Sequence, residues 1–168
     1  MIGTTCSRSA LVLVLALGLV GCGGNGDPRA AALVESWAKD LRTVATTGSA
    51  TLPDDYVARY EQQLRPIADD GGVDQPWAER FRRLVRVTAS PFTADPDDQD
   101  IETPEDTAEA IAFLRAVEGP NQPPIDPKDV SLARLAPALA REATDLWLLA
   151  TGTTDRKAAT MRLGMPSE

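Results

Sequence analysis

Apolar residues recur at the spacing of one helix face in five separate segments of the chain. In the first, which begins at Pro28, apolar side chains share one face and charged side chains share the opposite face. The other segments run from Pro53 to Ala68, from Gln75 to Ala89, from Pro104 to Glu118 and from Pro127 to Ala150. These five one-sided helices predict an all-α bundle, because each apolar face must be buried against another helix.

Each segment has a set of residues that we predict to face the core. In chain order these sets are Leu33, Val34, Trp37, Leu41 and Val44; Tyr56, Val57, Tyr60, Leu64 and Ile67; Trp77, Phe81, Leu84, Val85 and Thr88; Ala110, Phe113, Leu114 and Val117; and Leu132, Leu135, Leu139, Ala143, Leu146 and Ala150. Trp147 also lies near an apolar face, so core packing is the favoured role of all three tryptophans. Leu148 falls on the polar face of the fifth segment and indicates a small contact patch.

The prolines indicate where the helices start and stop. A capping Asp or Thr followed within two residues by proline precedes each segment, since proline has no backbone N–H to leave unpaired and a preset φ. Pro66 is expected to end or bend the second helix, and the third helix is expected to stop before Pro91. Pro137 projects to the polar side of the fifth helix, where a kink is expected. After Gly152, residues 153–168 are expected to form a polar, disordered tail.

The start of the chain differs in composition from the rest. A polar stretch with Arg8 precedes an apolar run from Ala10 to Val20, which small residues end. This run is well short of the roughly 20 apolar residues that a transmembrane helix requires. The four residues at its end, Leu19-Val20-Gly21-Cys22, resemble the lipobox of bacterial lipoprotein precursors.

The resemblance to lipoprotein precursors implies that residues 1–21 are a signal peptide, which is removed just before Cys22. It also implies a diacylglyceryl thioether on the Cys22 sulfur. Because two or more acyl chains hold a protein on a membrane stably, this lipid would anchor the chain permanently in the cell envelope. The membrane would be an outer membrane or the outer leaflet of a cytoplasmic membrane. Residues 22–26 would then be the lipidated cysteine and a flexible tether, and residues 27–152 the helical domain.

The charge of the chain limits its partners. The full sequence has a formal net charge of −8, and the part from Cys22 onward has 16 basic and 25 acidic residues, a net of −9. An acidic surface argues against nucleic acid and against anionic lipid headgroups as ligands of the whole domain. Basic proteins remain as candidate partners.

Few residue types suited to catalysis are present. The chain has no histidine, and its other cysteine, Cys6, leaves with the signal peptide, so zinc sites and cysteine nucleophiles are not expected. Ser36 and Lys39 have the spacing of the serine and lysine of penicillin-binding enzymes, but the companion motifs are missing. We therefore predict that the protein is not an enzyme and that it has no cofactor and no metal site.

Carboxylates are concentrated between Asp95 and Asp106, and no basic residue lies between Arg86 and Arg115. The beginning of this stretch resembles an EF-hand calcium loop, but Asp100 replaces the turn glycine and Asp106 stands where a bidentate Glu is expected. A solvated acidic linker is therefore the favoured interpretation, and an electrostatic docking surface is the alternative.

The arginine stripe, which consists of Arg80, Arg82, Arg83 and Arg86, lies on the polar face of the third helix. One interpretation is a solvated face whose arginines pair with nearby carboxylates, such as those from Asp95 to Glu102. The other is a contact surface for an anionic partner, because the planar guanidinium group binds carboxylates through two parallel hydrogen bonds. The first interpretation is favoured.

These features predict a lipid-anchored, non-catalytic interaction module that holds or positions a partner protein near the membrane. An alternative is an immunity-type or inhibitory lipoprotein that neutralises a basic toxin or a cell-wall enzyme, since opposite charges speed capture. A third class, a carboxylate-dependent envelope hydrolase, would require two facing carboxylates in a deep pocket.

Overall fold

A computed structural model describes residues 26–47, 52–93, 105–119 and 123–165. In these ranges the chain forms six α-helices and a short 3₁₀ turn (Pro127–Asp129) and has no β-strand, so the predicted all-α bundle is confirmed. The signal peptide, Cys22 and the acidic residues 95–102 of the sequence analysis lie outside the described residues. The helices are α1 (Pro28–Thr47), α2 (Tyr56–Asp69), α3 (Gln75–Thr93), α4 (Glu105–Glu118), α5 (Leu132–Thr151) and α6 (Arg156–Leu163).

Four helices form the body of the bundle. Helix α1 packs on α2, α2 on α3, α3 on α5, and α5 on α1, so that the four apolar faces enclose one core. Helix α4 lies mainly on α3, and α6 lies on α5 and α1. The short turn between α2 and α3 makes these two helices antiparallel neighbours, as short connections in helical bundles generally do.

Aromatic side chains fill the centre of this core. The fully buried Trp37 packs edge-on against Phe81, with the ring centroids 5.8 Å apart, and its Nε1 donates a hydrogen bond to Thr88 Oγ1. Trp77 stacks on the Phe81 ring, with the ring centroids 5.5 Å apart, and its Nε1 donates to the Leu146 carbonyl oxygen. Both indole N–H groups therefore have partners, which removes the cost of burying them. Trp147 is half-buried against the core.

The effects of the prolines differ from the prediction at Pro91. Helix α3 does not stop before this residue but continues to Thr93. A proline inside a helix leaves the carbonyl four residues earlier without its backbone donor, and here that carbonyl belongs to Val87. Ser90 Oγ donates a 3.0 Å hydrogen bond to it and so replaces the missing N–H. Pro66 and Pro137 also lie within continuous helices, and both are on the exposed side.

The start of the fifth helix and two of its surface residues also require correction. The segment from Pro127 begins with a 3₁₀ turn, and α5 starts only at Leu132, where Ser131 Oγ accepts a hydrogen bond from a backbone N–H of the first turn. Leu148 is half-buried, and it is Leu149, with 60% of its surface exposed, that faces solvent. Val117, which was predicted to face inward, is 40% exposed because it lies in the last turn of α4.

The prediction of a disordered tail is wrong for the residues that form α6. Asp155 caps this helix by accepting a hydrogen bond from the Ala158 N–H, and Gly164 ends it in the left-handed conformation. Ala159 and Leu163, one turn apart, are buried. Within the described residues the bundle has six helices, in agreement with the predicted bundle of about five.

Candidate functional site

The arginine stripe links α3 to three neighbouring helices. Its ion pairs are Arg80–Glu142 with α5 (Nε to Oε2, 2.7 Å), Arg82–Glu61 with α2 (Nε to Oε2, 3.1 Å) and Arg86–Glu109 with α4 (Nε to Oε2 and Nη2 to Oε1, each 3.0 Å). Arg80 also lies 3.5 Å from Asp145 of α5. These contacts support the favoured interpretation, in which the arginines pair within the protein. The partner carboxylates lie on the packed helices. The predicted partners between Asp95 and Glu102 lie outside the described part of the chain.

Arg83 differs from the other three residues of the arginine stripe. Its side chain is exposed, and no ion pair joins it to another residue within the described ranges. Because the side chains of the paired arginines are 33–39% exposed, each pair contributes only about 0–1 kcal/mol, and the pairs connect α3 to α5, α2 and α4. A partner that binds these three arginines would therefore have to displace carboxylates of the protein itself.

A second polar cluster joins α1 to α2 and was not anticipated from the sequence. Asp40 accepts hydrogen bonds from Arg59 Nη2 at 2.6 Å and from the Tyr60 hydroxyl at 2.8 Å. The Arg59 guanidinium lies 5.0 Å from the ring centroid of Tyr60 and 5.5 Å from that of Tyr56. Burial raises the pKa of Tyr60 to about 12, so this phenol stays protonated at neutral pH and cannot act as a base. The cluster fastens two helices together.

Glu35 joins α1 to both α5 and α6. Its carboxylate accepts two hydrogen bonds from Arg162, at 2.9 and 3.0 Å, and one from Trp147 Nε1 at 3.1 Å. The Arg162 guanidinium, followed by the indole N–H, lowers the pKa of Glu35 below its ordinary range. This carboxylate is therefore an ionised hydrogen-bond acceptor, and its contacts join α6 to α1 and α5.

One end of the bundle gathers the start of the described chain, the turn between α2 and α3, and the end of α5. We call it the Gly26 end. A Cβ on Gly26 would lie 2.6 Å from the Thr151 carbonyl carbon, so only glycine allows the chain to pass this close to α5. Arg29 bridges Asp27 and Asp70, at 2.8 and 2.7 Å, and ties the start of α1 to the end of α2.

A surface cavity of about 400 Å³ opens at the Gly26 end, between the turn that precedes α3 and the last turns of α5. This volume is within the range of ligand-binding clefts. The exposed Leu149 stands in its wall. The cavity is lined by Gly71, Gly72, Val73, Asp74, Pro76, Trp77, Arg80, Leu149 and Ala150.

The charged residues of this cavity are already engaged. Asp74 Oδ1 accepts a hydrogen bond from the backbone N–H of Trp77 and so caps α3, and Arg80 is paired with Glu142 and Asp145. Among the described residues that line this cavity, Asp74 is the one acidic residue, so they do not provide the two facing carboxylates that the hydrolase interpretation requires. The chemistry that the cavity offers is that of an apolar cleft with a polar edge.

Neither a metal-binding cluster nor a membrane-spanning helix is present among the described residues. In the ranges 26–47, 52–93, 105–119 and 123–165, no three His, Cys, Asp or Glu side chains are grouped so that they could hold a metal ion. None of the helices in the same ranges combines the length and apolar character required to cross a bilayer. Ser36 and Lys39, whose spacing resembles that of penicillin-binding enzymes, are both exposed on α1.

No protein-family model, no curated protein and no solved structure matches this chain.

Proposed function

We propose that the mature chain is a lipid-anchored, non-catalytic helical interaction module of the bacterial cell envelope, which holds or positions a partner protein near the membrane. The observation that carries this proposal is the sequence Leu19-Val20-Gly21-Cys22 at the end of a short apolar run. In this proposal residues 1–21 are removed and Cys22 carries the lipid. The helical domain then begins almost at the anchor, because α1 starts at Pro28.

The non-catalytic part of the proposal is supported by the residues available for chemistry. The chain has no histidine, and Cys22 would be its single cysteine after processing. Apart from Arg83, the charged side chains of the arginine stripe, the Asp40 cluster and the Glu35 cluster are joined in ion pairs between helices. An arrangement of this kind stabilises a scaffold, and it supplies no free acid–base pair.

The alternative function, an immunity-type or inhibitory lipoprotein, is favoured by one observation. The net charge of −9 from Cys22 onward would speed the capture of a basic toxin or cell-wall enzyme. Both functions place the protein on a membrane of the cell envelope and require a protein partner. They differ in what the partner does once it is bound, and crosslinking in intact cells followed by identification of the captured protein distinguishes them.

A charge swap tests whether the arginine stripe is part of the partner surface. Arg82→Glu alone is expected to lower the free energy of unfolding by about 1 kcal/mol, because it sets two carboxylates against each other across the α2–α3 interface. The matched double variant Arg82→Glu with Glu61→Arg restores an ion pair of the opposite polarity and is expected to recover most of this loss. Urea unfolding followed by circular dichroism measures both changes.

The same double variant separates structure from partner binding. If Arg82 serves the fold, crosslinking in intact cells should capture the same partner in the same amount from the wild type and from the double variant. A double variant that is as stable as the wild type but captures no partner would show instead that the arginine stripe is the contact surface.

A further inference from the structure

The position of the anchor relative to the bundle follows from the covalent chain. Three residues lie between Cys22 and Gly26, so four Cα–Cα steps join them and the two Cα atoms are at most about 14 Å apart. Gly26 is itself packed against the backbone at the end of α5. A lipid on Cys22 would therefore enter the membrane beside the Gly26 end and not beside the opposite end of the bundle.

The opposite end of the bundle lies too far from the Gly26 end to contact the same membrane surface. Val117 lies next to Glu118, whose carboxylate pairs with Arg134 in the first turn of α5 at 2.7 Å. Leu149 lies in the last turn of the same helix. Positions 134 and 149 are fifteen helical steps apart, which corresponds to about 22 Å along the axis. Val117 and Leu149 thus lie at opposite ends of the bundle, and Met161, the third exposed large apolar residue among those described, lies on α6.

The Gly26 end also has the apolar surface that a bilayer contact requires. Leu149 is 60% exposed and adjoins the cavity, in whose wall Val73 and Pro76 also lie. Pro76 is exposed and Val73 is half-buried. The free energy of the system falls when the interfacial region of a bilayer removes apolar side chains around an open cleft from water.

We propose that the Gly26 end is a membrane-docking surface, in which Leu149, Pro76 and Val73 contact the interfacial region of the bilayer that holds the lipid of Cys22. The proposal rests on the lipid anchor of the proposed function. The short tether keeps this end at the bilayer, so that a weak apolar contact becomes an effectively intramolecular one. The sides of the bundle and its opposite end are then left for the partner protein.

The charges at the Gly26 end determine the kind of bilayer. The aspartates of this end outnumber its cations, since Asp27, Asp69, Asp70, Asp74, Asp145 and Asp155 stand against Arg29, Arg80, Arg156 and Lys157. An anionic lipid surface repels such an end within a Debye length, which is about 8 Å at physiological salt. The docking surface therefore suits a zwitterionic bilayer, and added anionic lipid weakens the contact.

Photocrosslinking to lipid tests the docking surface. The chain from Cys22 to Glu168 is coupled through Cys22 to a maleimide phospholipid in phosphatidylcholine vesicles, with p-benzoylphenylalanine in place of Leu149. The matched control carries the same probe in place of Val117. After irradiation, mass spectrometry measures the fraction of protein bonded to phospholipid. We expect lipid labelling from position 149 to exceed that from position 117 severalfold. Replacing half of the phosphatidylcholine by phosphatidylglycerol should reduce the labelling at low salt, and high salt should restore it.

Two outcomes would overturn the docking surface. One is equal lipid labelling from positions 149 and 117, which would mean that the domain has no preferred end at the bilayer. The other is crosslinking of position 149 to a second copy of the chain and not to lipid. Because the coupling imposes the anchor chemically, these results are independent of whether cells attach a lipid to Cys22.

Discussion

Trp37→Ala is expected to lower the free energy of unfolding by about 3–5 kcal/mol, the range for a large aromatic side chain removed from a core. Trp37 is fully buried, and its ring lies against Phe81 in the centre of the bundle. Its removal leaves a cavity between α1 and α3 and deletes the hydrogen bond to Thr88. Urea unfolding followed by far-ultraviolet circular dichroism measures the change.

The matched control for this substitution is Trp147→Ala. The Trp147 ring is half-buried, and its indole N–H donates to the partly exposed Glu35, so less apolar surface is lost from the core. The loss of stability should therefore be clearly smaller than that of Trp37→Ala. If the two variants lost equal stability, or if Trp37→Ala were as stable as the wild type, the core described here would be wrong.

Leu163→Ala is expected to lower the free energy of unfolding by about 2 kcal/mol, at the low end of the range for buried leucines. Leu163 is 1% exposed and packs in the core of the bundle. The loss has a limit, because a helix of eight residues can detach locally before the whole bundle unfolds. Thermal unfolding together with hydrogen exchange in α6 measures both effects.

Met161→Ala is the control on the same helix. Its side chain is 74% exposed, so its truncation should change the free energy of unfolding by no more than about 0.5 kcal/mol. Equal and negligible effects of Leu163→Ala and Met161→Ala would mean that α6 does not pack on the bundle. The sequence-based expectation of a disordered tail would then be correct after all.

The main helices could be predicted because their apolar residues are numerous and periodic. In α1, the five residues placed on the inward face by their spacing are all buried. Helix α6 was missed because it contributes only Ala159 and Leu163 to the interior, too few for a period to be visible. Asp155 and Gly164 are typical of the start and the end of a helix, and they delimit an eight-residue helix.

Two other differences arise from contacts that local patterns do not contain. Helix α3 continues past Pro91 because the Ser90 hydroxyl supplies a donor to the Val87 carbonyl, an exception to the usual effect of proline. The exposure of Leu149 in place of Leu148 depends on how α5 is rotated against α1 and α3, which is set by the packing of three helices. Tertiary packing decides such details.

The candidate site was predictable in its residue types but not in its partners. The spacing of the arginine stripe placed its members on one face of a helix. However, the carboxylates that bind Arg80, Arg82 and Arg86 are between 21 and 65 residues away in the chain. Such distant pairs depend on the order in which helices pack. The cavity at the Gly26 end is lined by residues from the turn before α3, from the start of α3 and from the last turns of α5. No local sequence motif therefore indicates it.

Metabolic labelling with a fatty acid is the direct test of the proposed lipid anchor on Cys22. Cells that produce the wild-type chain or the variant Cys22→Ser are grown with the labelled fatty acid, and the protein is isolated for counting. Only a cysteine sulfur can form the thioether, so the account predicts label on the wild type and none on the variant. Equal label on both proteins, or no label on either, would contradict it.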